Sequence, residues 1–294
     1  MRPMLKRLKK ISVIFLIVLL VIIILLRTKL ESPSFDEVSL DNPDSYKPED
    51  TKPRILESDS DIGVVLVHGL GASPWETKDL AEYLHSKNIT TSQVLLAGHG
   101  KSIYELEQTS YQEWYGSVDK AYNELQTAKK FIIGSSTGSL LAIEISKENS
   151  PDGTVLLSTP LVFNNKLVKY TPFLKYLTRY SHRDIGEIQK QFYHENFPVK
   201  SLAEMVHYIN KIKNIIPDIT PTTLIIQSRN DPRLKPESAQ YVYDNIGSEN
   251  KEILWLDSYY HVLIIDQIDE ANEFKDEKKE IFEKIYSFIL GNSR

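Results

Sequence analysis

The stretch KFIIGSSTGSLLAIEI, residues 130–145, decides how the rest of the chain is interpreted. Residues 130–133 are typical of a buried strand, and residues 140–145 have the composition of a buried helix. Between them, Gly134-Ser135-Ser136-Thr137-Gly138 matches the G-x-S-x-G pattern of a sharp strand-to-helix turn that exposes a serine hydroxyl. Small residues are needed two positions before and after Ser136 because the two backbones nearly touch there. We therefore expect Ser136 to be a nucleophile if its partners follow in the right order.

Length, charge and cysteine content exclude several classes of protein. The 294 residues suffice for one large domain or two modest ones with a real core. A net charge of -5 gives no indication of nucleic-acid binding, which uses a basic surface. Because the chain has no cysteine, disulfides, thiolate catalysis and cysteine-ligated metals are excluded.

The N-terminal residues predict where the protein is located. Residues 11–26 read ISVIFLIVLLVIIILL, without a charge, and five basic side chains lie within residues 1–10. This asymmetry predicts a cytoplasmic basic segment at 1–10 and a single transmembrane signal-anchor at 11–26, with everything downstream on the extracytoplasmic side of the cell membrane. The alternative is a cleaved signal peptide, but no A-x-A-like site follows the run. Residues 27–57 contain four prolines and no apolar periodicity, which indicates a flexible linker.

Strands and helices alternate from about residue 61 onward. Apolar runs predict strands at 62–67, 94–96, 130–133, 154–158, 222–226 and 252–256. Helical patterns lie between them, at 74–87, after a Thr109/Gln112 capping box, and in a final helix that includes 281–289. Such alternation predicts an α/β domain over 58–294, with a mostly parallel sheet covered by helices on both faces.

Residues 160–217 interrupt this alternation. The segment is much longer than a single crossover between neighbouring strands and is rich in aromatic and aliphatic residues. We interpret it as a helical cap inserted over the sheet edge where the site opens. It is expected to cover an apolar pocket for an acyl chain. The alternative is a small helical subdomain with no pocket.

The partners of Ser136 are sought downstream, because a serine hydroxyl needs a histidine base that a carboxylate orients. The histidines after the turn are His182, His194, His207 and His261, and only His261 follows a predicted sheet strand. Asp231 is the carboxylate just past the preceding strand, with Glu237 as the fallback. The order serine, acid, histidine is the one expected for this arrangement.

A site of this kind also needs donors for the negative oxygen of a tetrahedral intermediate. The glycine-containing segment at 67–74 follows the first strand, so the backbone N–H groups of Leu70 and Thr137 are the expected donors. His68 and His99 are interpreted as structural. No H-x-x-x-H spacing occurs at the remaining histidines, so no metal is predicted. The expected mechanism implies no cofactor either.

These motifs together resemble the bacterial carboxylesterases and monoacylglycerol lipases of the α/β-hydrolase fold. The resemblance runs from about residue 61 to the end, apart from much of the cap. It is carried by HGLGASP (68–74), LAGHG (96–100), TSYQEW (109–114), the serine turn, Asp231 and HVLIID (261–266). Three positions depart from the family pattern: Thr137 replaces a methionine, Leu70 a phenylalanine, and Tyr259 a serine.

The resemblance and the residues together predict a membrane-anchored serine hydrolase. It would cleave carboxylic esters, such as monoacylglycerol- or lysolipid-like substrates, through a Ser136–His261–Asp231 triad and an acyl-enzyme, without a cofactor. A peptidase or acyltransferase that uses the same triad is one alternative. A non-catalytic binding module that has a hydrolase fold is another. The sequence does not indicate a protein partner.

Overall fold

The computed structural model describes residues 2–30, 51–100, 102–182, 196–265 and 273–293, and in the first helix the side chains of residues 9–23. The strands are β1 (Arg54–Leu56), β2 (Ile62–Val67), β3 (Thr90–Val94), β4 (Lys129–Ser135), β5 (Gly153–Leu157), β6 (Tyr180–His182), β7 (Asn196–Pro198), β8 (Thr223–Ser228) and β9 (Lys251–Leu256). The helices are α1 (Arg2–Leu30), α2 (Lys78–Ser86), α3 (Ile103–Gln108), α4 (Tyr111–Glu124), α5 (Thr137–Asn149), α6 (Thr171–Leu174), α7 (Val199–Ile215), α8 (Glu237–Asn245) and α9 (Glu273–Asn292).

A seven-stranded sheet in the order β1-β3-β2-β4-β5-β8-β9 forms the centre of the domain. All neighbouring strands are parallel except β1, which pairs antiparallel with β3. Because the strands are parallel, the carboxyl ends of β2, β4, β5, β8 and β9 lie along one edge. The segments predicted to carry the site follow these ends.

Both faces of the sheet are covered, which is why its inner strands are continuous apolar runs. Val65, Val67 and Ile132 point to the face covered by α4, α5, α7 and α8. Val64 and Leu66 point to the opposite face, covered by α2 and α9. The predicted α/β architecture with helices on both faces is therefore observed.

Two strands differ from the prediction. The strand expected at 94–96 is found at Thr90–Val94, and the predicted linker 27–57 ends in strand β1. The apolar signal failed at β3 because its first four residues, TTSQ, are polar although buried. Gln93 compensates for its burial, since its Nε2 donates to the Pro74 carbonyl at 2.9 Å and to Thr77 Oγ1 at 3.1 Å.

The start of α4 also differs by one residue from the expected capping box. Ser110 and Glu113 form the box, and the Ser110 N–H donates to Glu113 Oε2 at 2.9 Å. Thr109 instead caps the end of α3, and its Oγ1 accepts the Trp114 indole N–H at 2.9 Å. A short helix at 103–108 therefore ends where the sequence suggested that the next one begins.

The cap over 160–217 contains α6, α7 and the antiparallel strand pair β6–β7. It is therefore mixed, not purely helical as predicted. An ion pair connects it to the rest of the domain, because the Arg179 guanidinium donates to both carboxylate oxygens of Glu107 at 2.8–3.1 Å. Residues 183–195, which include His194, lie outside the described residues.

Helix α1 contains the segment predicted to be the anchor, 11–26. Of its described side chains, the large apolar ones from Ile11 to Ile22 are between 44% and 66% exposed. In the parts of the chain that the structure describes, no helix combines the length and hydropathy needed to cross a membrane. The anchor therefore stays a prediction, as does the structure of residues 31–50, which lie outside the described ranges.

Candidate active site

The turn between β4 and α5 has the close backbone packing that the G-x-S-x-G pattern requires. A Cβ on Gly134 would collide with the carbonyl of Gly138, and one on Gly138 would collide with the carbonyl of Val67. Ser136 has φ 51° and ψ -120°, a conformation that non-glycine residues adopt rarely. Strained backbone of this kind is found at functional sites. The turn presents the Ser136 hydroxyl to the cleft above the sheet edge.

The structure brings the three predicted triad residues into a hydrogen-bonded row. His261 Nε2 lies 3.0 Å from Ser136 Oγ, and His261 Nδ1 lies 2.8 Å from Asp231 Oδ2. Because a carboxylate only accepts, Nδ1 is the protonated nitrogen and Nε2 is left to accept the serine proton. This is the geometry of a serine with its base and the carboxylate that orients the base.

Asp231 is held by donors on both carboxylate oxygens. Its Oδ1 accepts the backbone N–H groups of Arg233 at 2.7 Å and Leu234 at 3.0 Å, and its Oδ2 also accepts from Gln227 Nε2 at 3.2 Å. Burial raises the pKa of Asp231, but the hydrogen bond from His261 and the two backbone donors outweigh it, so the pKa lies below its usual value. The carboxyl group is therefore ionised at neutral pH.

The loop that carries His261 is fixed by serines from neighbouring strand ends. Ser158, just past β5, donates from its hydroxyl to the His261 carbonyl at 2.7 Å. Ser228, the last residue of β8, donates to the Ser258 carbonyl. These contacts hold the backbone before and at the histidine, so the ring does not depend on its own side-chain bonds for its position. The sequence analysis identified neither serine, nor Gln227.

The two predicted oxyanion donors lie beside Ser136. Thr137 is the first residue of α5, where backbone N–H groups have no partner within the helix and carry partial positive charge. Leu70 follows β2, and both residues line the cleft together with Ser136. Gly69 brings this loop close, since a Cβ there would lie 3.3 Å from Ser136 Cβ.

The loop that carries Leu70 is anchored on both sides. Glu76 Oε1 accepts the Gly69 N–H at 3.0 Å. His68 Nδ1 donates to the Gly69 carbonyl at 2.8 Å, and its Nε2 accepts the Leu96 N–H at 3.2 Å. His68 therefore joins this loop to the segment after β3, which agrees with its predicted structural role. No sequence signal identified Glu76, because an acidic residue in the first turn of a helix is common and does not indicate a buried partner.

Burial and, to a smaller extent, the neighbouring His99 lower the pKa of His68 to about 3, although the hydrogen bond to Gly69 opposes the shift. Its imidazole is therefore neutral at physiological pH. The ring of His99 lies 5.2 Å from that of His68 and 5.7 Å from that of Trp114. His99 Nδ1 also lies 2.9 Å from the Ala97 carbonyl, so it shapes the turn after β3.

A cleft of about 320 Å³ opens above Ser136 and beneath the cap. Its apolar wall comes largely from the cap, with Phe163, Val168, Phe197, Leu202 and Met205. Its polar side includes Asn165, Ser181, His182 and Arg233. An apolar chain and a polar group can thus both be accommodated next to the serine.

The other candidates from the sequence do not join the triad. Glu237, the fallback acid, begins α8, whereas His261 bonds to Asp231. His182 lies at the cleft with its Nδ1 3.4 Å from Asn196 Oδ1, and His207 is exposed on α7. Within the described ranges, no group of three or more acidic or histidine side chains is arranged to hold a metal.

A mostly parallel sheet with a serine turn after β4, and an acid and histidine after β8 and β9, defines an α/β-hydrolase. Residues 59–268 match the family model Hydrolase_4, described as serine aminopeptidase, S33. The chain belongs to this family.

Curated relatives and solved structures agree with the family assignment. A carboxylesterase of Bacillus subtilis (strain 168) is 24% identical over 238 residues, which are 78% of this chain and 92% of the relative. A thermostable monoacylglycerol lipase of Bacillus sp. (strain H-257) is 27% identical over 212 residues, 70% of this chain and 84% of the relative. The monoacylglycerol lipase of Paleococcus ferrophilus superposes with a TM-score of 0.68 at 19% identity, over 82% of this chain and 99% of its own.

Proposed function

We propose that the protein is a membrane-anchored serine hydrolase that cleaves carboxylic esters through Ser136, His261 and Asp231. The observation that carries the proposal is the row of contacts from Ser136 Oγ to His261 Nε2 at 3.0 Å and from His261 Nδ1 to Asp231 Oδ2 at 2.8 Å. The class of reaction is independently supported. The family match and the two Bacillus relatives identify the chain as a carboxylic ester hydrolase.

In the proposed mechanism, Ser136 Oγ attacks the acyl carbon while its proton passes to His261 Nε2. The ionised carboxylate of Asp231 stabilises the imidazolium that forms. The negative oxygen of the tetrahedral intermediate accepts from the N–H groups of Leu70 and Thr137. His261 then returns the proton to the leaving alcohol as the carbon–oxygen ester bond breaks. A water, deprotonated by the same nitrogen, hydrolyses the acyl-enzyme and releases Ser136.

The substrate class that we propose is an ester with an apolar acyl chain, such as a monoacylglycerol or a lysolipid. The wall of the cleft formed by Phe163, Phe197 and Met205 supports an apolar acyl group. The anchor at 11–26 would keep the enzyme beside such substrates. The uncharged run with basic residues before it, and the exposed apolar side chains of α1, support the anchor.

Replacing the nucleophile tests this proposal directly. The purified full-length protein should hydrolyse p-nitrophenyl acyl esters and react with a fluorophosphonate probe, and Ser136→Ala should abolish both. Ser139→Ala is the matched control, because Ser139 lies one turn along α5 with its hydroxyl bonded to the Ser136 carbonyl at 2.5 Å. Turnover retained in the Ser136 variant would overturn the assignment.

The family description also names an aminopeptidase, so amide substrates form a second candidate. The same serine, base and donors would serve an anilide. Parallel measurements with matched acyl esters and acyl anilides distinguish the two activities. We expect the esters to be cleaved and the anilides to be cleaved far more slowly.

A further inference from the structure

The cap carries a row of exposed apolar side chains close to the cleft. Leu167, Tyr170, Phe173 and Tyr176 are 60%, 52%, 65% and 62% exposed. We call these four residues the cap patch. They are the largest group of exposed large apolar side chains that the described ranges contain outside α1.

The cap patch forms one side of a regular segment. Its residues recur at every third position, through a 3₁₀ turn at Val168–Tyr170 and then α6. The side chains one position further along face the protein, since Thr171 is buried and Val168 lines the cleft. The inner side of this segment therefore packs against the protein. Packing does not explain why the outer side is apolar as well.

The charge of the segment that carries the cap patch is one-sided. Residues 160–182 contain no aspartate or glutamate, although the whole chain has a net charge of -5. Lys166, Lys169 and Lys175 lie within the segment. The Lys169 ammonium lies 4.8 Å from the centroid of the Tyr170 ring, and that of Lys175 lies 5.4 Å from the Tyr176 ring. Tyrosine, lysine and apolar side chains are enriched where a protein lies in the interface of a bilayer.

The chain also enters the domain on the side of the cleft. Strand β1 runs antiparallel to β3 with Arg54 opposite Gln93, so its first residue lies at the carboxyl-end edge of the sheet. Thr51 is buried just before it, and its carbonyl lies close to Gly100, in the turn after β3. This is the edge at which Ser136 and the cleft lie. The chain between Leu30 and Arg54 can span at most roughly 80 Å, so a bilayer that holds α1 is within reach of the cap.

We propose that the cap patch docks into the surface of the bilayer that holds α1, with its lysines on anionic headgroups. The cleft then opens towards the lipid, and an acyl ester passes from the bilayer past Val168 to Ser136. This inference rests on the proposed anchor, but not on the catalytic role of Ser136.

The absence of cysteine makes a site-specific test possible. Full-length Phe173→Cys is labelled with an environment-sensitive fluorophore and reconstituted in vesicles of phosphatidylcholine, with or without phosphatidylglycerol, that contain spin-labelled lipid. Leu290→Cys is the matched control. Leu290 is also exposed. It lies near Phe288, which contacts the amino end of β5, at the sheet edge opposite the cleft.

We expect the label at position 173 to be blue-shifted and quenched by the spin-labelled lipid, more strongly with the anionic lipid, while the label at 290 is not. Combining Lys166→Gln, Lys169→Gln and Lys175→Gln should lower the ratio of docked to undocked protein by about fivefold for each lysine. Phe173→Ser should slow turnover of a long-chain ester embedded in the vesicle by about tenfold. It should leave turnover of a soluble short-chain ester unchanged.

Equal quenching at positions 173 and 290, in protein that floats with the vesicles, would overturn the docking proposal alone. Protein that does not float with the vesicles would overturn the anchor as well. A blue shift at 173 that the spin-labelled lipid does not affect, and that grows with protein concentration, would assign the cap patch to a second copy of the chain. Because quenching, flotation and the blue shift do not require turnover, these three readouts are independent of the Ser136→Ala experiment.

Discussion

The Thr137 hydroxyl lies 3.2 Å from Met205 Sδ, so the residue that follows the proposed nucleophile contacts the cap helix α7 through its side chain. Its proposed contribution to chemistry is a different group, the backbone N–H at the start of α5. The side chain of Thr137 thus contacts the cap, whereas its main chain is proposed to serve the reaction. Because the proposed oxyanion donors are backbone N–H groups, the side chains of Leu70 and Thr137 can differ from those of the family pattern.

Thr137→Val separates these two contributions. Valine has nearly the same shape but no hydroxyl, so we expect kcat to stay within about twofold, because the backbone donor remains. Loss of the contact with Met205 should reduce the free energy of unfolding by about 1 kcal/mol. Ester kinetics and urea unfolding measure the two effects. A hundredfold loss of kcat in a folded variant would show that the hydroxyl itself participates.

Asp231→Asn should reduce kcat by a factor of about 10³ to 10⁴, because the amide favours the wrong histidine tautomer and no longer stabilises the imidazolium. Asp257→Asn is the control. Asp257 lies after β9 but its side chain is 91% exposed, and its contact with Arg229 is 3.8 Å long. Initial rates with a soluble ester compare the two variants. Similar rates in both would remove Asp231 from the mechanism.

His68 makes the folded state sensitive to acid. Its pKa is about 3 in the folded protein and 6.5 when exposed, so below pH 6.5 the unfolded chain binds the proton more readily. Stability from this group is complete above pH 6.5 and decreases as the pH falls, by up to about 1.4 kcal/mol per pH unit. Urea unfolding between pH 7 and pH 4 should show a smaller decrease in His68→Gln. The exposed His207→Gln should retain the slope of the unchanged protein.

Gly138→Ala should destabilise the protein by about 3 kcal/mol or more, because the new Cβ would collide with the carbonyls of Val67 and His68. Gly116→Ala tests the opposite case in a helix. Apart from its chain neighbours and the backbone of its own helix, no described atom lies within 4 Å of a Cβ built on Gly116 in α4, so alanine there should stabilise by about 0.5 to 1 kcal/mol. Thermal unfolding of both variants measures the difference. An unchanged melting temperature for Gly138→Ala would contradict the tight packing of the turn.

Most of the sheet and the candidate triad could be predicted because their signals are local. A continuous apolar run indicates β2, and the spacing of small residues indicates the turn at Ser136. Asp231 and His261 followed from their order after strands. The edge strand β1 and the start of β3 had no such signal. Polar residues form them, and hydrogen bonds from distant segments compensate for their burial, as Gln93 shows with Pro74 and Thr77.

The cap was the least predictable part for a related reason. Its composition indicates an apolar segment but does not say which residues face the protein. Leu167 is exposed while its neighbour Val168 lines the cleft, because a 3₁₀ turn directs them to different sides. A period of three is easily missed in a search for helical or strand periodicity.

By itself, the sequence determined the types of residue at the site, their order along the chain and the class of sheet that holds them, because each is a local property. Tertiary structure alone decided the distances. Ser136 and His261 are 125 positions apart, yet their side chains meet at 3.0 Å. Parallel pairing brings the ends of β4, β8 and β9 to one edge. Buried hydrogen bonds to Asp231 and to the His261 carbonyl then fix the distances between the triad side chains. Those bonds join residues without any common local pattern, so only the folded chain reveals them.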